Sequence, residues 1–130
     1  MQDSASILEE LFQALGDRTR LRLLNLMVHG EVCVCFFVEV LKEPQPKISR
    51  HLAYLRRRGL VAPRKDAKWV HYRITPPANE TARRIFQTTI AALSDDRAMQ
   101  NDRLRLQRAC CSPRVPEQLQ RAPRPSVTGV

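Results

Sequence analysis

Glycine is scarce in this chain, with four residues in 130. No glycine-rich loop leads into a helix, so the backbone cradle that many enzymes use for phosphate is missing. No Cys-x-x-Cys occurs either, which argues against a thiol–disulfide oxidoreductase. No enzyme is expected. No apolar run is long enough to span a bilayer, and no charged-then-apolar leader opens the chain. A cytoplasmic protein with no membrane partner is therefore expected. Acidic residues are outnumbered, 13 against 22 Lys and Arg, for a formal charge of +9. Most of that surplus is Arg, which grips phosphate through two donors at once, so the balance favours nucleic acid. No internal repeat is visible. The length fits one domain, small enough to gain stability by pairing with a second copy.

Ser6-x-x-Glu9 reads as a capping box ahead of a first helix, with Ile7, Leu8, Leu11, Phe12 and Leu15 on one face. Gly16 stops it and Asp17 caps a second helix carrying Leu21, Leu24 and Val28, which ends at His29-Gly30. Glu31 to Leu41 is short and apolar. Its Val and Phe content suits a strand, but its helical flanks favour a helix. Pro44 and Pro46 then break the chain, and Pro46 suits a first helical turn. Ile48, Leu52 and Leu55 form a narrow apolar stripe up to Gly59. Leu60 to Arg64 and Lys68 to Ile74 read as a hairpin turning at Asp66-Ala67. Ala is poorer than Gly where φ must be positive, which leaves the turn type open. After Pro76-Pro77, Ala82, Phe86, Thr89 and Leu93 start a final helix running to about Ala109, weak at Ser94-Asp-Asp. This gives one domain over residues 1–109 and a tail over 110–130, Cys-Cys and then rich in Pro and Arg, expected to be disordered.

Three long helices and the short 31–41 segment, a hairpin and another helix make a mainly α fold with a small β-hairpin wing, the order of a winged helix-turn-helix. A helix fits the major groove, where its polar face reads base edges while flanking cations hold phosphates. Gln45, Lys47, Ser49, Arg50, His51, Tyr54 and Arg57 lie on the exposed side of the third long helix. Arg64, Lys65 and Lys68 place cations at the hairpin tip. A merely solvated basic face is the alternative, and the agreement of helix, turn and wing favours DNA.

Leu15-Gly-Asp-Arg-Thr-Arg-Leu-Arg-Leu-Leu24, Glu31-Val-Cys-Val-Cys35, Gln45-Pro-Lys-Ile-Ser-Arg-His-Leu52 and Lys68-Trp-Val-His-Tyr-Arg73 resemble the ArsR/SmtB family over about residues 7–95. The resemblance is closest to its arsenic-responsive branch, the arsenical resistance operon repressors. It implies a dimeric winged helix-turn-helix repressor that binds double-stranded operator DNA as a homodimer and leaves it when metal binds. It places the recognition helix at Gln45 to Arg57 and the wing at Arg64 to Tyr72. It also puts the dimer interface on the first and last helices, giving Leu8, Leu11, Phe12, Phe86, Thr89 and Leu93 as candidates.

The four cysteines fall in two pairs, Cys33/Cys35 and Cys110/Cys111. Such clustering suggests ligation or redox chemistry rather than a disulfide framework, although free Cys also buries readily as a small apolar residue. Trivalent arsenic is soft and prefers thiolate. The resemblance implies As(III), inorganic or methylated, as the effector. The branch usually carries Cys-Val-Cys-x-x-Cys, and here Val38 stands at the third position. Either Cys110 or Cys111 supplies a third sulfur, from the same or the other subunit, or an organoarsenical such as methylarsenite binds through two thiols. The tail pair could also form a site of its own. A three-thiolate site using both pairs ranks slightly ahead. A thiol-redox repressor on the same scaffold is a further alternative. Zinc is not expected, since His29, His51 and His71 do not cluster and no His follows to join Asp95 and Asp96. Cadmium or lead at the same thiols stays open. Residues two apart on a regular helix do not face each other. Cys33 and Cys35 must therefore sit on a loop or first turn, or the helix must deform, for both to hold one ion.

Overall fold

The computed structural model describes residues 2–111 and 122–125. The elements run α1 (Ser4–Leu15), α2 (Arg18–Leu26), β1 (Val32–Cys33), α3 (Val34–Leu41), α4 (Gln45–Arg57), β2 (Val61–Asp66), β3 (Trp69–Ile74), α5 (Glu80–Leu93) and α6 (Arg97–Cys111). One antiparallel sheet has the order β1-β3-β2. Its hairpin pairs Val61 with Ile74 and Asp66 with Trp69, and β1 pairs Cys33 with His71. No helix among the described residues is long and apolar enough to cross a membrane.

Side-chain caps set most helix starts. Asp3 Oδ1 accepts from Ser6 N–H at 2.7 Å, so Asp3 and not Ser6 caps α1. Ser6 lies inside the first turn, where its N–H is one of the orphan donors a cap must satisfy. Asp17 accepts from Arg20 N–H at 3.0 Å and opens α2. That helix stops at Leu26, ahead of His29-Gly30, with Met27 N–H closing back on Leu24 O at 3.0 Å. α4 ends in paired bonds from Gly59 N–H to Arg56 O (2.9 Å) and Leu60 N–H to Leu55 O (3.0 Å). That closure needs a left-handed residue, and Gly59 supplies it at φ 74.

Three expectations change. The 31–41 segment is not one helix: Val32–Cys33 adds a two-residue strand to β3 before α3 begins. The hairpin turn is Ala67-Lys68, with Ala67 at φ 53. The single last helix is two helices, because Asp96 turns back to accept from Met99 N–H at 3.1 Å and caps α6 anew. α6 folds against α2 and α3 and extends to Cys111, two residues past the expected boundary. Of the expected disordered tail, residues 112–121 and 126–130 lie outside the described residues, and Ala122 is buried against the core.

The core joins Leu23 and Leu24 of α2, Phe36 and Phe37 of α3, Ile48, Leu52 and Leu55 of α4, Val61 of β2 and Phe86 of α5. Polar contacts fix α6 in place. Asn25 is fully buried, donating to Met99 O at 2.9 Å and accepting from Arg103 Nε at 2.8 Å. Of the residues expected at a dimer interface, Leu11 and Phe86 take places in the chain's own core. Leu8, Thr89 and Leu93 are half-buried, and Phe12 is 55% exposed.

Candidate nucleic-acid interface and thiol site

α4 turns Ile48, Leu52 and Leu55 inward and leaves Gln45, Ser49, Arg50, Arg56 and Arg57 exposed. This is the face a major groove can accept. Lys47 is half-exposed and pairs with Glu43 at 3.2 Å. His51 and Tyr54 are more withdrawn than the sequence suggested. The guanidinium of Arg20 lies 4.3 Å from the Tyr54 ring centroid. Its Nη1 stands 3.4 Å from His51 Nδ1. Burial holds His51 below the usual imidazole range. Arg20 also donates to Ala14 O (2.8 Å) and Gln13 O (2.7 Å), so one side chain ties α1, α2 and α4 together. Nothing in the sequence singled Arg20 out, since its partner His51 is 31 residues away.

The wing is anchored at its base and again in mid-strand. At its base, Thr75 donates through Oγ1 to Gly59 O (2.8 Å) and through N–H to Leu60 O (2.9 Å), joining β3 to the end of α4. Farther along, Arg64 forks onto Glu31, with Nε 3.0 and 3.1 Å from the two carboxylate oxygens. That hydrogen bonding holds the Glu31 carboxyl below its ordinary range. Lys65 and Lys68 are exposed, and the Lys68 ammonium lies 5.0 Å from the Trp69 ring centroid.

Cys33 and Cys35 are brought together. Cys33 is the N-cap of α3 with extended backbone, φ −71 and ψ 142, and Cys35 is in the first turn. The extended cap residue swings its side chain to where a helical neighbour could not reach. The Cys35 thiol donates to Cys33 Sγ at 3.2 Å. This bond, helped by backbone N–H groups of Cys35, Val70 and Val34, lowers the Cys33 thiol to about 6 against its ordinary 9.0. Cys35, as the donor beside that thiolate, is pushed up. The pair thus favours one thiolate beside one thiol, with Cys33 buried and Cys35 half-buried.

The thiols open into a pocket of about 310 Å³ lined by Gln45, Ser49 and Leu52 of α4 and by Lys68, Trp69, Val70 and Tyr72 of the wing. Trp69 is the chain's only tryptophan. It was not among the expected site residues, and only the hairpin register carries it to the thiols.

Cys110 lies near the end of α6, buried and disulfide-bonded, with Sγ 3.5 Å from Gln107 O. The side chain of Cys111 lies outside the described residues. Among the described residues no group of three or more His, Cys, Asp or Glu is placed to hold an ion.

Helix, wing and exposed cations define a winged helix-turn-helix regulator of the DNA-binding class. The family described as "Bacterial regulatory protein, arsR family" matches residues 17–62. The chain is 41% identical over 86 residues to the arsenic resistance transcriptional regulator ArsR2 of Pseudomonas putida, covering 65% of this chain and 75% of that protein. It is 53% identical over 68 residues, 52% of its own length, to the arsenical resistance operon repressor of Escherichia coli, and spans 58% of that repressor. Among solved structures, HlyU from Vibrio cholerae superimposes with TM-score 0.60 at 27% identity, over 71% of this chain and 97% of that one. The chain belongs to the arsR family of bacterial regulatory proteins.

Proposed function

We propose that this chain is a transcriptional repressor that binds operator DNA as a homodimer and releases it when trivalent arsenic binds the thiolates of Cys33 and Cys35. One observation carries the reading: two free sulfurs 3.2 Å apart share a pocket with residues of both DNA-binding elements. The donor set fits the ligand, since a soft centre prefers sulfur and needs deprotonated ligands. The names of the relatives support arsenic over other thiophilic ions. On this reading Ser49 and Arg50 contact bases, while Lys47, Arg57, Lys65 and Lys68 hold phosphates, with Gln45 at the helix entry. Arg64, His51 and Tyr54 contribute through the contacts that shape the surface. A third sulfur from Cys110 or Cys111 requires that those residues be reduced. Phe12, exposed on α1, and Leu8, Thr89 and Leu93 are the residues proposed to meet a second copy.

The ligand acts by differential affinity: it shifts the equilibrium only as far as it prefers the DNA-free state. The test is fluorescence anisotropy of reduced protein on its own promoter DNA, titrated in parallel with arsenite, methylarsenite, zinc and peroxide. Release by arsenite that is lost in Cys33→Ser and Cys35→Ser supports the reading. Release by peroxide alone supports a redox repressor using the same two sulfurs. If zinc alone releases, the arsenic reading fails.

A further inference from the structure

We propose that α6 adds a second phosphate-binding surface to this protein, in which Arg18 and Arg22 of α2 and Arg105 of α6 hold the backbone of duplex DNA beyond the base pairs that α4 reads. This rests on the reading of α4 and the wing as DNA-binding elements. It extends the contact to a helix outside residues 17–62, the part of the chain that matches the family.

The three guanidiniums converge on one notch. Its volume is about 280 Å³, and it is lined by Arg18, Arg22, Ala98, Asn101, Asp102 and Arg105. Small-molecule pockets run from about 300 to 1,000 Å³, so this one suits a single phosphate group rather than a larger ligand. Asp102, almost wholly buried, accepts from Nε and Nη2 of Arg22 and from Nη2 of Arg105. The carboxylate fixes the planes of both guanidiniums. It leaves Nη1 of Arg22 and both Nε and Nη1 of Arg105 for another acceptor. Arg18 is exposed and has no ion pair among the described residues. Three guanidiniums against one carboxylate leave an excess of two positive charges, on donors whose fork matches phosphate oxygens.

Position selects DNA over a free anion. The charge of Glu43, in the link between α3 and α4, acts on Arg22, and Glu43 pairs with Lys47 in the first turn of α4 at 3.2 Å. Arg22, Glu43 and Lys47 thus alternate in charge from the notch to the start of α4. Between Arg18 and Arg22, Arg20 reaches across to His51 and Tyr54, so this end of α2 lies alongside α4. The nearby carboxylates are engaged: Asp17 caps α2 beside Arg20, and Glu43 holds Lys47. α6 is tied to α2 a turn away by the bonds of Asn25 to Met99 O and Arg103, which keeps Arg105 in place relative to α4. Duplex DNA carries a negative charge about every 1.7 Å of its axis. A strand that passes Lys47 therefore offers further phosphates to the notch.

The experiment uses the full chain, reduced, on labelled duplexes of promoter and scrambled sequence, with anisotropy isotherms at several salt concentrations. Each phosphate contact contributes about 0.9 to the slope of log affinity against log salt. Arg18→Gln is expected to flatten that slope by about 1 for each copy of the chain on the DNA, and to weaken binding on the order of tenfold on both sequences. Base preference is expected to stay as it is. Arg105→Gln is expected to do the same. Arg84→Gln, at an exposed α5 residue paired with Glu80, is expected to keep the parental slope and affinity. Ethylation of phosphates outside the base pairs read by α4 is expected to block the parent protein and not Arg18→Gln. A parental slope and ethylation pattern in both Arg18→Gln and Arg105→Gln overturn the proposal while leaving the reading of α4 and the wing standing. Failure of the parent protein to bind either duplex overturns both. If Arg105→Gln does not fold, Arg18→Gln decides, because its side chain has no ion pair to lose among the described residues.

Discussion

Arg22 and Asp102 meet across eighty residues of chain, the guanidinium donating through Nε at 2.7 Å and through Nη2 at 3.0 Å to the two carboxylate oxygens. Arg105 donates to the same carboxylate from one turn further along α6. Asp102 is almost wholly buried. The pair pins α6 to α2, which packs against α4. Removing one partner of such a pair leaves the other charge uncompensated, which costs about 3 kcal/mol. Asp102→Ala is expected to lower stability by roughly that amount in urea unfolding. A loss under about 1 kcal/mol would show that α6 is held by apolar packing instead.

The thiolate of Cys33 gives a pH dependence with a defined sign. Its thiol is lowered to about 6, so it is ionised at neutral pH and protonates only below that value. The ultraviolet absorbance of the thiolate, followed against pH, is expected to rise through a midpoint near 6 and to be nearly complete at neutral pH, where an ordinary cysteine is mostly protonated. Cys35→Ala removes the hydrogen bond that is the largest cause of the lowering, so the midpoint is expected to move up toward 9.0. An unchanged midpoint in that variant would assign the shift to the backbone donors of α3 and β3.

Ala67 sits at φ 53 in the wing turn. A side chain there costs about 1–2 kcal/mol relative to its preferred conformation. Glycine relieves this but loses more chain entropy on folding, roughly 0.5–1 kcal/mol. Ala67→Gly is therefore expected to stabilise by up to about 1 kcal/mol, seen as a rise of several degrees in the thermal midpoint. A fall would mean that the rest of the wing, not this residue, sets the turn.

Arg57 and Arg50 lie on the same helix with different expected roles. Arg57→Ala is expected to weaken binding to every DNA sequence and to flatten its salt dependence, as loss of a phosphate contact does. Arg50→Ala is expected to cost about 1–3 kcal/mol on the operator alone and to relax preference at one base pair. Binding isotherms at several salt concentrations, on operator and on scrambled DNA, separate the two. If Arg57→Ala affects one base pair only, the assignments exchange.

Helix α4 was legible because its signals agree: proline at the start, a narrow apolar stripe, arginines in the last turn and Gly59 after it. The hairpin was legible through the alternation of Val70, Tyr72 and Ile74. Strand β1 was not, because two residues carry no periodicity and the strand exists only by pairing with β3. The break between α5 and α6 was visible as weakness at Ser94-Asp-Asp, but not as a new start. That depended on Asp96 turning its carboxylate to Met99. For the thiols, sequence geometry demanded a loop or first turn, and Cys33 at the cap of α3 meets that demand. The pocket they open into was beyond reach, since it is assembled by α4 and the wing from residues far apart along the chain.

The link from α3 to α4 is only Lys42 to Pro44. Lys42 is left-handed at φ 56, and Pro44 has a ring that locks its φ, as does Pro46 just inside α4. Few torsions remain free between the thiols and α4. The two helices are therefore expected to move together, so that a distortion of the first turn of α3 would carry through to α4 rather than be absorbed along the way.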